Sequence, residues 1–181
     1  MLKNLFSISL FAFLVSQTSS GTAQALPTAT GHGSVQVGGG WTLANPDYGQ
    51  KKIQGITGFA DFDFSTHIGV EADVHYIALI TPDDLAENSY LIGPRFLLRH
   101  RQYNLYAKAL LGVGDLVIQN PNDNIGRQAG TNFAYAAGGG LDINFPKHIV
   151  LRAIDIEYQH WSYLTGLTPF VGTVGVAYRF H

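Results

Sequence analysis

His160-Trp161-Ser162 puts an imidazole and a hydroxyl on alternate positions, so on an extended chain both point the same way, as a base and its nucleophile must. Hydrolysis by such a pair needs the base within about 3 Å of the hydroxyl and a third group to orient it. The stretch Phe170-Val171-Gly172-Thr173 offers no acid for that role, and Tyr163 follows Ser162. An interfacial histidine among aromatic residues accounts for the same pattern, and we expect no catalytic residues. Glu71, Asp73 and His75 also share one face and carry ligand chemistry, but other charges compete for them as ion-pair partners, and we expect neither a metal site nor a cofactor. The glycine runs Gly38 to Gly40 and Gly138 to Gly140 are not phosphate loops, because no helix and no Lys-Ser/Thr pair follows either.

A larger set of charges falls on alternate positions of apolar segments: Asp61, Asp63, Glu71, Asp73, Asp142, Asp155 and Glu157 against Arg95, Arg99, Lys108 and Arg179, with His75 among them. Their spacing requires strands. The pattern predicts eight of them, at 34–43, 52–64, 68–79, 90–99, 104–115, 132–145, 149–161 and 170–180. Connections at 44–51, 81–88, 116–131 and 162–169 read as loops, the third being the longest, and those at 65–67, 100–103 and 146–148 as tight turns. Pro94 cannot donate to a ladder and predicts a bulge. Arg152 falls on the apolar parity of its strand, which places it in a headgroup zone or behind a bulge.

The 181 residues include no Cys, so neither disulfides nor thiolate chemistry hold or serve the fold. Lys3, the apolar run Leu5 to Val15 and the triplet Ala23-Gln24-Ala25 read as a cleaved secretory signal over residues 1–25. That leaves a polar leader at 26–33 and one domain at 34–181, with ten basic side chains against thirteen acidic ones, a balance that excludes nucleic acid as a partner. Charged residues make up only 13% of the chain and aromatics 12%, roughly half the charge fraction of ordinary soluble domains.

Short strands with one apolar and one ionic face, joined by alternating loops and turns, fit an all-β, eight-stranded antiparallel up-and-down transmembrane β-barrel. Closure follows from the solvent, since an open sheet edge in hydrocarbon costs several kcal/mol for each unpaired backbone group. Short turns belong on the periplasmic side, so both termini are expected there. Aromatics then segregate into an inner rim of Phe62, Phe64, Phe145, Tyr178 and Phe180 and an outer rim of Trp41, Tyr76, Tyr90, Phe133, Tyr135 and Tyr158.

The terminal segment Thr173-Val-Gly175-Val-Ala-Tyr178-Arg-Phe180 resembles the last strand of bacterial outer-membrane barrels, departing only in the extra His181. Together with Gly93-Pro94-Arg95 and Ala137-Gly138-Gly139-Gly140-Leu141-Asp142, it makes the whole mature chain similar to the small outer-membrane barrel superfamily, of the kind of the OmpA transmembrane domain and its stand-alone relatives. The resemblance implies that Thr173, Gly175, Tyr178 and Phe180 form the signal read by the barrel-assembly machinery, and that outer-membrane lipid and lipopolysaccharide surround the protein. No peptidoglycan-binding domain is expected.

An eight-stranded barrel is only wide enough for its own side chains to fill. The charged set therefore reads as an ion-paired lumen, and the protein as a structural or surface-interactive barrel meeting some external ligand through its loops. A narrow gated conductor of water or small ions, with pairs such as Glu71 and Arg95 exchanging partners, is the alternative. A second alternative follows from resemblance: His160-x-Ser162 is similar to the His-x-Ser pair of the outer-membrane lipid A deacylases, which are also eight-stranded barrels.

Overall fold

The computed structural model describes residues 33–46, 51–81, 85–118, 128–162 and 166–180. The signal segment, nearly all of the 26–33 leader, His181 and parts of the four longer connections lie outside these. Eight strands run in chain order: β1 (Ser34–Asn45), β2 (Ile53–Asp63), β3 (Ile68–Ile80), β4 (Leu85–Arg99), β5 (Tyr103–Ile118), β6 (Gln128–Asn144), β7 (Ile149–Trp161) and β8 (Phe170–Phe180). Each pairs antiparallel with its neighbours, and β1 pairs with β8 from Val35↔Phe180 to Asn45↔Phe170, closing the barrel.

Period-two alternation makes the strands, and its sense is inverted relative to a water-soluble core. In β2 Thr57, Phe59, Asp61 and Asp63 are buried inside while Ile56, Ala60 and Phe62 are exposed outside. The aromatics of both expected rims are all exposed, Trp41, Tyr76 and Tyr158 toward one end and Phe62, Tyr178 and Phe180 toward the other. Such a surface is stable only against lipid: an outward apolar band flanked by aromatic girdles.

Two features differ from the expectation. β4 begins at Leu85, and β5 and β6 extend to Ile118 and from Gln128, so strand replaces much of the expected loops at 81–88 and 116–131. The polar inward positions Glu87 and Ser89 look like loop until the lumen itself is recognised as polar; both are buried. Pro94 makes no bulge. The register holds from Ile92↔Leu111 to Arg95↔Lys108, with the pairings of Gly93 and Pro94 to β5 missing between them, because the intact ladder on either side fixes the phase. Of the two places expected for Arg152, a headgroup zone or behind a bulge, it has the second, and it points inward.

The reason lies in β7. Leu141 pairs with Ile154 and Asp142 with Arg152, while on the other side Arg152 pairs with Gly175 and Asp155 with Thr173. One extra residue sits between Arg152 and Ile154 on both flanks, a β-bulge that flips the parity of everything before it. Val150 and Arg152 thereby turn into the lumen, and Ile149 turns out. The turn that precedes β7 carries two left-handed non-glycine residues, Lys147 at φ 63° and His148 at φ 65°, and is closed by Phe145 N–H donating to Ile149 O at 2.8 Å.

Candidate functional site

The lumen is layered. At the end that carries the longer connections Trp161, Leu91, Leu110, Ala134 and Ala136 form a buried apolar cluster, with Leu167 packed on it. A Cβ on Gly114 would lie 2.7 Å from the Trp161 ring, so the glycine is what admits the indole. Trp161 Nε1 donates to Gln159 Oε1 at 3.0 Å, tying this plug to the polar layer beneath.

That layer begins with hydroxyls. Thr42 bonds Thr57 and, at 2.9 Å, Thr173, and Thr57 Oγ1 lies 2.7 Å from His75 Nδ1. Below it, Lys108 Nζ sits among four carboxylates: Glu71 at 2.7 Å, Asp73 at 2.8 Å, Asp155 at 2.7 Å and Glu157 at 2.7 Å. Deeper still are the two guanidinium groups. Arg95 reaches Asp61 and Asp142, both at 2.5 Å, and Glu71 at 3.2 Å. Arg152 reaches Asp61 and Glu71, both at 2.9 Å, and Asp142 and Asp155, both at 3.3 Å. Aromatic faces cover them: Arg152 lies 3.6 Å from the Phe59 ring centroid and Arg95 4.0 Å from that of Tyr106.

Asp63 and Arg99 pair separately near the turn end at 2.6 Å, where Arg99 is partly exposed. Arg179 donates to Asn144 Oδ1 at 2.8 Å and to Gln36 Oε1 at 2.9 Å, and Gln36 passes the connection on to Asp61 at 2.9 Å. With Gln36 on β1 and Arg179 on β8 included, every strand contributes to one bonded network. Arg152, Gln36, Phe59 and Trp161 are central members that the pattern of charged positions did not single out. A straight-strand parity hides Arg152. The other three stand on inward positions but carry no charge.

Of the terminal-strand residues, Thr173 is buried in the hydroxyl layer, and Gly175 backs against β1, where a Cβ would meet Gly39 O at 2.5 Å. Tyr178 and Phe180 face outward, edge to face with centroids 4.8 Å apart. The His160 imidazole lies against the Tyr135 ring, 4.9 Å between centroids, and a Cβ on Gly166 (φ 88°) would meet its ring at 2.8 Å. Ser162 is exposed, with its backbone N–H donating to Phe133 O at 2.9 Å.

A closed eight-stranded wall with a lipid-compatible exterior and an ion-paired interior defines a small transmembrane barrel. The chain belongs to the family described as the outer membrane protein beta-barrel domain, whose pattern matches residues 10–180, and its place is the bacterial outer membrane. Among solved structures it is similar to Ail, the attachment invasion locus protein of Yersinia pestis, at 19% identity and TM-score 0.58 over 82% of this chain and 99% of that one; one Ail structure holds the heparin analogue sucrose octasulfate. It is also similar to the N-terminal barrel domain of Pseudomonas aeruginosa OprF (13% identity, TM-score 0.55, 83% of this chain and 100% of that one). Neisserial surface protein A is comparable at 12% identity and TM-score 0.56, over 81% of this chain and 95% of that one. No curated protein matches by sequence.

Proposed function

We propose that this barrel serves as a structural and surface-interactive element of the outer membrane, without enzymatic activity, meeting its partners through the connections β1–β2, β3–β4, β5–β6 and β7–β8. The observation that supports this most is the filled interior. Trp161, Arg95, Arg152, Glu71 and Glu157 are all no more than 2% exposed, so the interior is occupied by the protein's own side chains. In this reading residues 1–25 are removed on export, 26–33 form a periplasmic leader to a barrel at 34–181, and both termini face the periplasm. The terminal strand is read by the assembly machinery through Thr173, Gly175, Tyr178 and Phe180, and lipopolysaccharide packs on the outer half. Ail was solved with a polysulfated ligand, but here the connections carry Asp47, Asp83, Asp84 and Asp123 against Lys51, Lys52 and Arg127. A strongly anionic partner is therefore disfavoured.

Replacing residues 119–127 by a short Gly-Ser linker in cells tests the reading. The barrel should still assemble, while adhesion or phage sensitivity changes; a variant identical to wild type in every surface assay, in a strain where deletion alters solute uptake, would overturn it.

One observation favours the channel as a second reading. Glu71 is contacted at once by Arg95, Lys108 and Arg152, an arrangement in which partners could exchange. Planar-bilayer recordings showing discrete steps that vanish in Arg95→Ala or Glu71→Ala would support it. A lipid-modifying hydrolase built on His160 and Ser162 predicts a changed lipid A acyl pattern in Ser162→Ala cells, and we expect none.

A further inference from the structure

The lumen's charges do not balance. Asp61, Glu71, Asp73, Asp142, Asp155 and Glu157 are all buried, and among the described residues they contact three permanent cations, Arg95, Lys108 and Arg152. With all six ionised, three negative charges would be left over in a low-dielectric interior, where unpaired ions are not tolerated. Protons on some of the carboxyls or a further cation must offset them.

The place for it is the corner formed by Asp73, His75 and Glu157, which offer three ligand atoms within 4.8 Å of one another. Asp73 gives Oδ2 to Lys108 at 2.8 Å, and its Oδ1 is buried without a partner. His75 Nε2 is likewise buried and unsatisfied: it lies 3.3 Å from Glu157 Oε2 but without hydrogen-bond geometry. Glu157 gives one oxygen to Lys108 at 2.7 Å and receives Gln159 Nε2 on the other at 3.0 Å. The remaining ring nitrogen, Nδ1, is held by Thr57 Oγ1 at 2.7 Å, within a threonine chain able to pass its protons onward to Thr42 and Thr173. With Nδ1–H donating to Thr57 Oγ1, one of the two tautomers this contact permits, the Nε2 lone pair would face two carboxylates, as in a histidine prepared for a metal.

We propose that Asp73, His75 and Glu157 bind one divalent transition-metal ion of the zinc class inside the barrel. One nitrogen and two carboxylate ligands suit such an ion better than the all-oxygen preference of calcium or magnesium. Its two charges offset most of the carboxylate excess. The neighbouring trio Glu71, Asp73 and Asp155 is a different case, since Lys108 Nζ already occupies its centre.

The test is metal content of the purified full-length barrel, folded in detergent with Zn²⁺ present, then gel-filtered against a weak chelator and measured by plasma mass spectrometry. Wild type should retain about one Zn²⁺ per barrel and unfold at higher temperature than protein folded without metal. His75→Gln should lose the ion, while His67→Ala, in the exposed turn, should keep it. Should His75→Gln not fold, Thr57→Val decides: losing the anchor of Nδ1 should weaken retention about 10- to 100-fold with all three ligands in place. Zinc absent from wild type, or unchanged in both His75→Gln and Thr57→Val, overturns the proposal. An imidazolium signal from His75 in metal-free and metal-treated protein alike would assign the missing charge to a proton and also overturn it.

Discussion

At the scale of single residues, Arg152 shows how much one side chain carries. Its guanidinium touches four carboxylates at 2.9 to 3.3 Å, and removing it strands them in a dry interior. Breaking a buried ion pair by deleting one partner costs about 3–5 kcal/mol. Arg152→Ala should lower the urea-unfolding free energy of the detergent-folded barrel by that amount, whereas a substitution of exposed Lys147 to Ala should change it by well under ~1 kcal/mol. Gly114→Ala should displace Trp161, since the new methyl would stand 2.7 Å from its ring; loss of the blue-shifted emission of a buried indole is the readout. The charged residues of the lumen were legible in the sequence because Asp, Glu, Lys and Arg interrupt apolar segments at alternate positions. Arg152 was legible only as a break in parity that a bulge or a headgroup position would explain, because its inward direction depends on an extra residue at Ala153 that no side chain announces.

Among the elements, two places depart from ideal geometry. The β6–β7 turn holds Lys147 and His148 in the left-handed region, which costs an ordinary residue roughly 1–2 kcal/mol and suits Asn-Gly instead. The double substitution Lys147→Asn with His148→Gly should therefore stabilise the barrel by about 1–2 kcal/mol in the same unfolding measurement. The β4–β5 ladder lacks its bridges at Gly93 and Pro94. Amide exchange at Ala109, whose N–H faces Pro94 across this gap, should outpace that at Ala107 and Leu111, and equal protection along β5 would show that the ladder is closed there after all. Strand identities and the antiparallel order were readable from period-two alternation and turn residues. The ends of β4, β5 and β6 at the longer connections were not, since polar side chains directed into a lumen, such as Glu87, look the same in sequence as polar side chains in a loop.

For the whole molecule, the apolar cluster around Trp161 and the ionic layers below it divide the interior between two kinds of seal. If the indole is what closes the mouth, Trp161→Ala should raise single-channel conductance in planar bilayers above the wild-type baseline while costing about 3–5 kcal/mol of stability. Unchanged conductance would mean that the salt-bridged layers alone exclude ions. The architecture was legible because a lipid-facing wall inverts the usual rule of burial. The bonding partners were not, since any acid can reach several bases across so narrow a space, and only the staggered register decides among them.

That every strand donates a side chain to the same web bears on how the chain enters the membrane. A sheet that has inserted seven strands still exposes Gln36 and Asp61 without Arg179, and guanidiniums without all their counterparts, to a medium that solvates neither. Half-built intermediates are thus penalised beyond their open edge, so insertion and curling shut should coincide in time. A folding chaperone at the membrane would have to shelter those charges until the final strand arrives.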